Sequence, residues 1–275
     1  MTMQIAGKRN RSKSFFKHGH WIDIAIDAID IIKAIILRSG VTQYSGSRLG
    51  YLWAFIEPLI LVAIFASLNV FLRNRLLFGE SFLVFLLTGY LTLRIALTVA
   101  RRTMTSITGG RALLTFPKIS MMHLVFAQVI IEVITMAIVI ILTYTLLSFL
   151  SDIAKVHDPF TFTAALCATL LLASGFGTLL APLTVVWERI PRLFAFVSLP
   201  LIFCSGTFFI PALMDPRVLQ FLSWNPLLHC VEWFREAIYL DYVSVLDRSY
   251  ALNCGFVFLV LGIILTRAVG LRGAT

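Results

Sequence analysis

The chain has 275 residues, of which 59% are hydrophobic and only 13% charged, and it carries a formal net charge of +9. Long apolar segments alternate with short, mostly basic connectors, which excludes an ordinary soluble domain and leaves no room for a separate soluble catalytic one. A stretch of 18 or more apolar residues reads as a membrane span, because about 20 helical residues cross a hydrocarbon core of roughly 30 Å.

The N-terminal tail is basic (Lys8, Arg9, Arg11, Lys13, Lys17). The segment after it carries Asp23, Asp27 and Asp30, which the apolar core of a cleavable signal would not tolerate. Residues 21–38 predict an amphipathic helix instead. Asp23, Asp27, Asp30 and Lys33 fall on one face, and Trp21, Ile22, Ile26, Ile29, Ile32 and Ile36 occupy much of the rest. Early acids and late bases suit the helix dipole. The charges make spanning costly, so this helix is expected to lie along the inner membrane surface. Residues 1–50 are thus a cytoplasmic tail plus a surface helix, and residues 51–275 a transmembrane unit.

Six spans are predicted, at about 51–72, 81–100, 119–150, 160–187, 193–211 and 250–267. Pro159 to Trp187 and Ser249 to Thr266, the runs of the fourth and sixth spans, carry no charge, whereas the second span holds Arg94, the third Glu132, and the first Glu57 near its start. With the N-terminus cytoplasmic, 16 of the 23 Lys and Arg residues fall inside and 6 outside, with Arg94 in the membrane. The positive-inside rule therefore places both termini in the cytoplasm. Anionic lipid accounts for the basic balance, and no nucleic-acid partner is required.

Between the second and third spans, residues 101–118 form a basic loop punctuated by Gly109-Gly110 and Phe116-Pro117. A short helix fits between those breakers. The loop is either a plain connector or a docking element for a soluble partner. The outer segment 211–249 is the longest extracytoplasmic piece and contains Pro211, Pro216, Asn225-Pro226 and Trp233 to Glu236. Its apolar pieces are too short to span, so two short re-entrant helices broken near Asn225-Pro226 are expected. The fold class is all-α: six transmembrane helices, an N-terminal amphipathic helix and a re-entrant pair before the last span.

Familiar engines are missing from the sequence. There is no GxxxxGK[ST] loop, no HExxH pair and no GxSxG elbow. No metal site and no catalytic group are predicted. Cys167, Cys204, Cys230 and Cys254 lack CxxC spacing and read as small buried hydrophobes. Uphill transport would draw its energy from another chain or an ion gradient. Arg94 either pairs with an acid, for which Glu132 is a natural candidate, or meets an anionic substrate. Glu57-Pro58 caps or kinks the first span. Tyr51, Trp53 and Phe55 at the start of the first span, and Phe203, Phe208 and Phe209 near the outer end of the fifth, are interface anchors or a stacking path for sugar rings.

Three strings occur together: YSGSRLGYLWAFIEPL from Tyr44 to Leu59, Phe208-Phe209-Ile210-Pro211, and Asn225-Pro226-Leu227 followed by Glu232, Arg235 and Glu236. In this order the chain resembles the membrane subunits of type-2 ABC exporters, most closely the capsular polysaccharide export permeases of Gram-negative bacteria. The resemblance covers about residues 20–270. It implies a homodimer in the bacterial inner membrane that binds two copies of a cytoplasmic ATPase. ATP and magnesium would sit on that partner, and none on this chain. The helix at 21–38 would be the family's interface helix. The loop at 101–118 would be its coupling helix, with Arg102, Thr105, Arg111, Phe116 and Pro117 at the ATPase. Glu57, Pro58, Pro211, Asn225, Pro226 and Arg235 would be structural motif positions. An anionic glycolipid would enter near Arg38, Arg48 and Tyr51. Its path would pass Trp53, Phe55, Arg94, Phe203, Phe208 and Phe209. A periplasmic adaptor and an outer-membrane export protein would continue the route.

The sister families export O-antigen or teichoic acid, and other members of the superfamily export drugs or lipids. Two readings from other classes also stand: an ion-coupled secondary transporter, for which no repeat between residues 51–150 and 160–267 is evident, and a glycolipid-modifying enzyme, for which clustered acids or histidines are missing.

Overall fold

The computed structural model describes residues 20–44, 56, 60, 64, 67, 82–150, 156–239 and 242–272. Among them every regular element is helical. Helix α1 runs from His20 to Tyr44, α2 from Phe82 to Met104, and the single turn α3 from Ser106 to Gly109. A 3-10 turn at Arg111–Thr115 leads to α4 (Met121–Leu150), and then come α5 (Pro159–Val186) and α6 (Ile190–Cys204). The outer segment holds a 3-10 turn at Pro211–Leu213, α7 (Pro216–Leu222) and α8 (Pro226–Ile238), before α9 (Arg248–Arg272). Four described helices are long and apolar enough to cross a membrane: α2, α4, α5 and α9. The predicted first span, 51–72, lies almost wholly outside the described residues.

Helix α5 is the hub, packed against α9, α2 and α8. Its start is fixed locally. The Asp158 carboxylate accepts hydrogen bonds from the Phe160 and Thr161 amides, and Pro159 occupies the first turn, where a missing N–H costs nothing. The Thr161 hydroxyl also donates to Asp158, and these bonds hold its carboxyl below the ordinary carboxylate range. Within the span, the hydroxyls of Thr169 and Thr178 donate back to the carbonyls of Ala165 and Ser174. No polar atom of those side chains is thereby left bare in an apolar setting.

In hydrocarbon, apolar burial drives helix association weakly, because lipid tails are as apolar as leucine; close contact between small residues takes its place. A Cβ at Gly175 would lie 2.4 Å from the Gly255 carbonyl oxygen, and one at Gly177 would lie 2.6 Å from Thr103 Cβ. Backbones thus meet at both the α5–α9 and the α5–α2 crossings. We expect Gly175→Leu to forbid the α5–α9 crossing. The opposing atoms are backbone and cannot yield, so the overpacking cost is on the order of 1–3 kcal/mol or more. A lowered melting temperature in detergent checks this; Gly109→Leu, where a Cβ meets nothing within 4 Å, is the control.

The lipid-side faces are evident from exposure. Ile130, Ile134, Ile138 and Ile141 form an outward stripe on α4, and Phe256, Val257, Val260, Leu261 and Ile264 line the outside of α9. Of the four cysteines, only Cys230 is buried. Cys167 is exposed and the other two are partly so, which corrects the expectation of four buried hydrophobes. Cys167 sits on an outward face of α5, where lipid replaces protein as the apolar surround.

Two boundaries differ from the sequence expectation. Helix α1 continues to Tyr44 rather than stopping near residue 38. Within the predicted stretch Ile35 is buried with Leu124 and Ala127, flanked by Ile31, Ile32 and Ile36. The predicted fifth span, 193–211, ends early: α6 stops at Cys204, and 205–210 is non-helical. Gly206 turns there with φ +73°, a conformation open to glycine without strain.

Candidate substrate path and coupling surface

The non-helical stretch after α6 is held by a buried arginine on α8. Arg235 is fully buried and donates from Nη2 to the Thr207 carbonyl at 3.1 Å and from Nη1 to the Phe209 carbonyl at 3.4 Å. Its guanidinium lies 3.6 Å from the centroid of the Phe85 ring. Glu232, also fully buried, neutralises it at 3.4 Å. That carboxylate further accepts from the Tyr242 hydroxyl at 2.6 Å and the Val245 amide at 3.3 Å. Such a charge is tolerable only because its neighbours replace water on nearly every side. Gly89 leaves the space: a Cβ there would be 2.9 Å from Thr207 Cα and 3.1 Å from Arg235 Nη2.

A second set of bonds fixes the rest of the outer segment. Asn225 caps α8 through the Leu227 amide, and its side-chain amide donates to Ser205 Oγ at 3.0 Å. His229 accepts from the Asp247 amide at Nδ1 (3.1 Å), so Nε2 carries the proton that meets the Ser223 carbonyl at 2.9 Å. The Tyr250 hydroxyl donates to the Trp224 carbonyl. Pro211 is buried at the end of the clamped stretch. Pro211, Asn225, Pro226 and Arg235 therefore meet in one structure with Glu232 of the same string, and the sequence pattern did not reveal Gly89 and Tyr242 as its other members. A glycine inside an otherwise bulky span was the only signal for the first of these.

The residues predicted for a substrate path divide. Phe203 and Phe208 are 65% and 40% exposed, with ring centroids 5.5 Å apart, and form a small aromatic surface beside the partly buried Phe209. Arg94 sits on α2, partly buried, in a cavity of about 220 Å³ shared with Tyr90, Thr98 and Arg101 and bounded by Phe194 and Ser198 of α6. Tyr90, Arg94, Thr98 and Arg101 recur at three- and four-residue spacing, so one face of α2 carries the whole polar row. Arg48, Tyr51, Trp53, Phe55, Glu57 and Pro58 lie outside the described residues. Arg38 is exposed on α1 and lines a cavity of about 410 Å³ with Arg102, Thr105 and Gln128.

The loop 101–118 has a fixed stem and an exposed tip. Ile107 on α3 is buried with Val125 of α4 and Ala181 of α5. Arg102, two helical turns beyond Arg94, pairs with Glu132 at 3.2 Å, and the Gln128 amide adds a hydrogen bond at 2.7 Å. Glu132 is fully buried while Arg102 is 35% exposed, so the pair ties the loop's root to the interior of α4. The Thr105 hydroxyl donates back to the Arg101 and Arg102 carbonyls. Past Gly110, Arg111, Phe116 and Pro117 are exposed, Phe116 at 56%. An aromatic side chain bared at a loop tip is a contact surface of the kind partner proteins use.

Comparison with known proteins agrees with this geometry. The family profile described as ABC-2 type transporter matches residues 31–239. The chain is 26% identical over 255 residues to the capsule polysaccharide export inner-membrane protein CtrC of Neisseria meningitidis serogroup B, covering 91% of this chain and 95% of that one. It is 23% identical over 238 residues to BexB of Haemophilus influenzae, a protein of the same description, covering 86% and 90%. It is 26% identical over 237 residues to the polysialic acid transport protein KpsM of Escherichia coli, covering 86% and 92%. With three quarters of its length matched and its apolar helices arranged around α5, the chain belongs to the ABC-2 type transporter family.

Proposed function

We propose that this chain is the membrane subunit of an ATP-driven exporter that moves a lipid-linked capsular polysaccharide from the cytoplasm to the periplasm. The supporting observation is its near full-length similarity to proteins named for capsule polysaccharide export or polysialic acid transport. In this reading two copies sit in the bacterial inner membrane with both termini cytoplasmic. Each has six spans: the first at about 51–72, then α2, α4, α5, α6 and α9. Helices α7 and α8 are the re-entrant pair on the outer side.

A hydrophilic polymer cannot cross hydrocarbon bare, because each unpaired polar group costs on the order of several kcal/mol. The two copies therefore wall a wet passage between their first spans and α6. The anionic lipid end enters near Arg38 and Arg48, and the sugar chain slides past Phe203 and Phe208. Two ATPase copies bind ATP and magnesium beneath the membrane. Their closure pushes on the tips at Arg111 to Pro117 and on α1, and the stem carries the stroke into α4 and α5. A periplasmic adaptor and an outer-membrane export protein receive the chain.

In the source bacterium, deletion of this chain should trap polymer in the cytoplasm; surface capsule unchanged by the deletion refutes the cargo. In liposomes, the chain alone should move no polymer. Export without an ATPase would point to ion coupling, and export of drugs or lipids but not glycan would point to other branches of the superfamily. We further expect Arg111→Ala with Phe116→Ala to weaken capture of the ATPase at least tenfold with membrane insertion unchanged, since exposed aromatic and arginine anchors each contribute roughly 1–4 kcal/mol at interfaces. A pull-down from solubilised membranes reads this directly.

A further inference from the structure

A cavity of about 840 Å³ opens where α1, the run before α4 and the last turns of α9 meet. Its lining combines two chemistries. Ile32 of α1 and Met121, Met122 and Phe126 of α4 are apolar, whereas His123 of α4 and Arg267 of α9 are polar. The His123 ring has a fixed role, because Nδ1 accepts from the Ser120 amide at 3.1 Å. In the neutral imidazole the proton is then on Nε2, leaving a donor for a ligand. Arg267 is exposed and supplies a full positive charge. Among the described residues no acid lines the cavity, and on α1 Asp27 faces Lys118 at 4.0 Å and Asp30 faces Lys33 at 3.5 Å.

We propose that this cavity binds one anionic glycerophospholipid. The headgroup phosphate meets Arg267 and His123 Nε2, the Ser120 hydroxyl being held on His123 Nδ1 at 3.2 Å, and an acyl chain lies along Met121, Met122, Phe126 and Ile32. Two observations select a lipid over a soluble anion. The walls are mostly apolar, and methionines adapt to a flexible chain. The exposed Ile26 and Ile29 of α1 carry an apolar surface onward from the cavity, as a helix lying on a membrane requires. The charge at the site matches the anionic lipids of a cytoplasmic leaflet. The lipid bridges α9 to α1 and α4, two helices that the Ile35 cluster already joins to each other. The inference rests on the chain being a membrane protein and not on its cargo.

The test is retention of dioleoylphosphatidylglycerol by the purified full chain in detergent, titrated against dioleoylphosphatidylcholine and counted by mass spectrometry. Wild type should hold one phosphatidylglycerol per chain at least tenfold more tightly than phosphatidylcholine. Arg267→Gln with His123→Leu should abolish that preference, and Arg267→Lys should keep most of it. Met122→Trp, which fills the apolar wall and leaves both polar groups, should also lose the lipid. Equal retention of the two lipids by wild type, or full retention by the double variant, overturns the proposal. So does displacement of the lipid by millimolar inorganic phosphate, which would mark a site for free anions. Arg267 is exposed, so its removal leaves the fold intact and the readout interpretable.

Discussion

Arg235→Leu is expected to abolish the folded outer segment, with a loss of about 3–5 kcal/mol, the usual consequence of removing one member of a buried ion pair. The substitution strands Glu232, which is fully buried, and frees the carbonyls of Thr207 and Phe209. Two competing effects decide the size. Leucine fits an apolar surround and recovers some packing against Phe85, which favours the variant. The uncompensated Glu232 charge and the two orphaned carbonyls oppose it and dominate, since each buried unsatisfied group costs roughly 1–3 kcal/mol. Arg235→Lys separates charge from geometry. It keeps the positive charge for Glu232 but cannot reach two carbonyls and stack flat on Phe85 at once. Its melting temperature should therefore fall between wild type and Arg235→Leu. The double variant Arg235→Leu with Glu232→Leu removes the stranded charge and should recover part of the loss, which no model of Arg235 as a surface contact accommodates. Protease cleavage in 205–215, measured in detergent, reports the local effect. Unchanged resistance in Arg235→Leu refutes the clamp.

Most of the bundle was legible because its signal is local in sequence. Uncharged runs of 18 residues or more gave α5 nearly to its ends and α9 to within five residues of its end, and the breakers Gly109-Gly110 and Asn225-Pro226 mark the turns seen there. What escaped was decided by contacts between distant residues. Hydropathy carried the fifth span on to Pro211, since Thr207 to Ile210 is apolar enough to continue a helix. The helix stops because Arg235, 28 residues from Thr207, takes the carbonyl of Thr207, and because Gly206 turns. The packing of α1 escaped for the same reason, since Ile35 finds Leu124 and Ala127 about ninety positions away. Among the candidate site residues, a lone charge in a span announces itself, but its partner does not. Glu132 was legible as an expensive residue, and Arg94 looked like the cation to meet it. Arg102, two turns later and about a quarter-turn around α2, meets that carboxylate.

The second large effect concerns that pair. Glu132→Gln should leave the chain folded and able to capture the ATPase, yet cut export at least tenfold. The amide is nearly isosteric and still accepts a hydrogen bond from the partly exposed Arg102, so the stability cost stays near 1 kcal/mol, the value of one ordinary hydrogen bond. The mechanical consequence is larger. With the charge gone, the stem of the 101–118 loop keeps the Ile107 contact between α4 and α5 and the Thr184 hydroxyl on the Met104 carbonyl, but its tie to α4 drops from an ion pair to a neutral hydrogen bond. The loop can then yield under the ATPase stroke instead of moving α4 and α5 as rigid bodies. Small displacements at a site become large ones only through elements that resist bending. ATP hydrolysis should continue or rise while polymer movement falls, and that divergence is the signature of a loosened linkage. Reversing the pair, Arg102→Glu with Glu132→Arg, tests charge against position. It buries an arginine where a shorter carboxylate fitted, so it should not restore export even though opposite charges still face each other. Hydrolysis and export falling together in Glu132→Gln would instead assign the residue to ATPase binding and overturn this role for the stem.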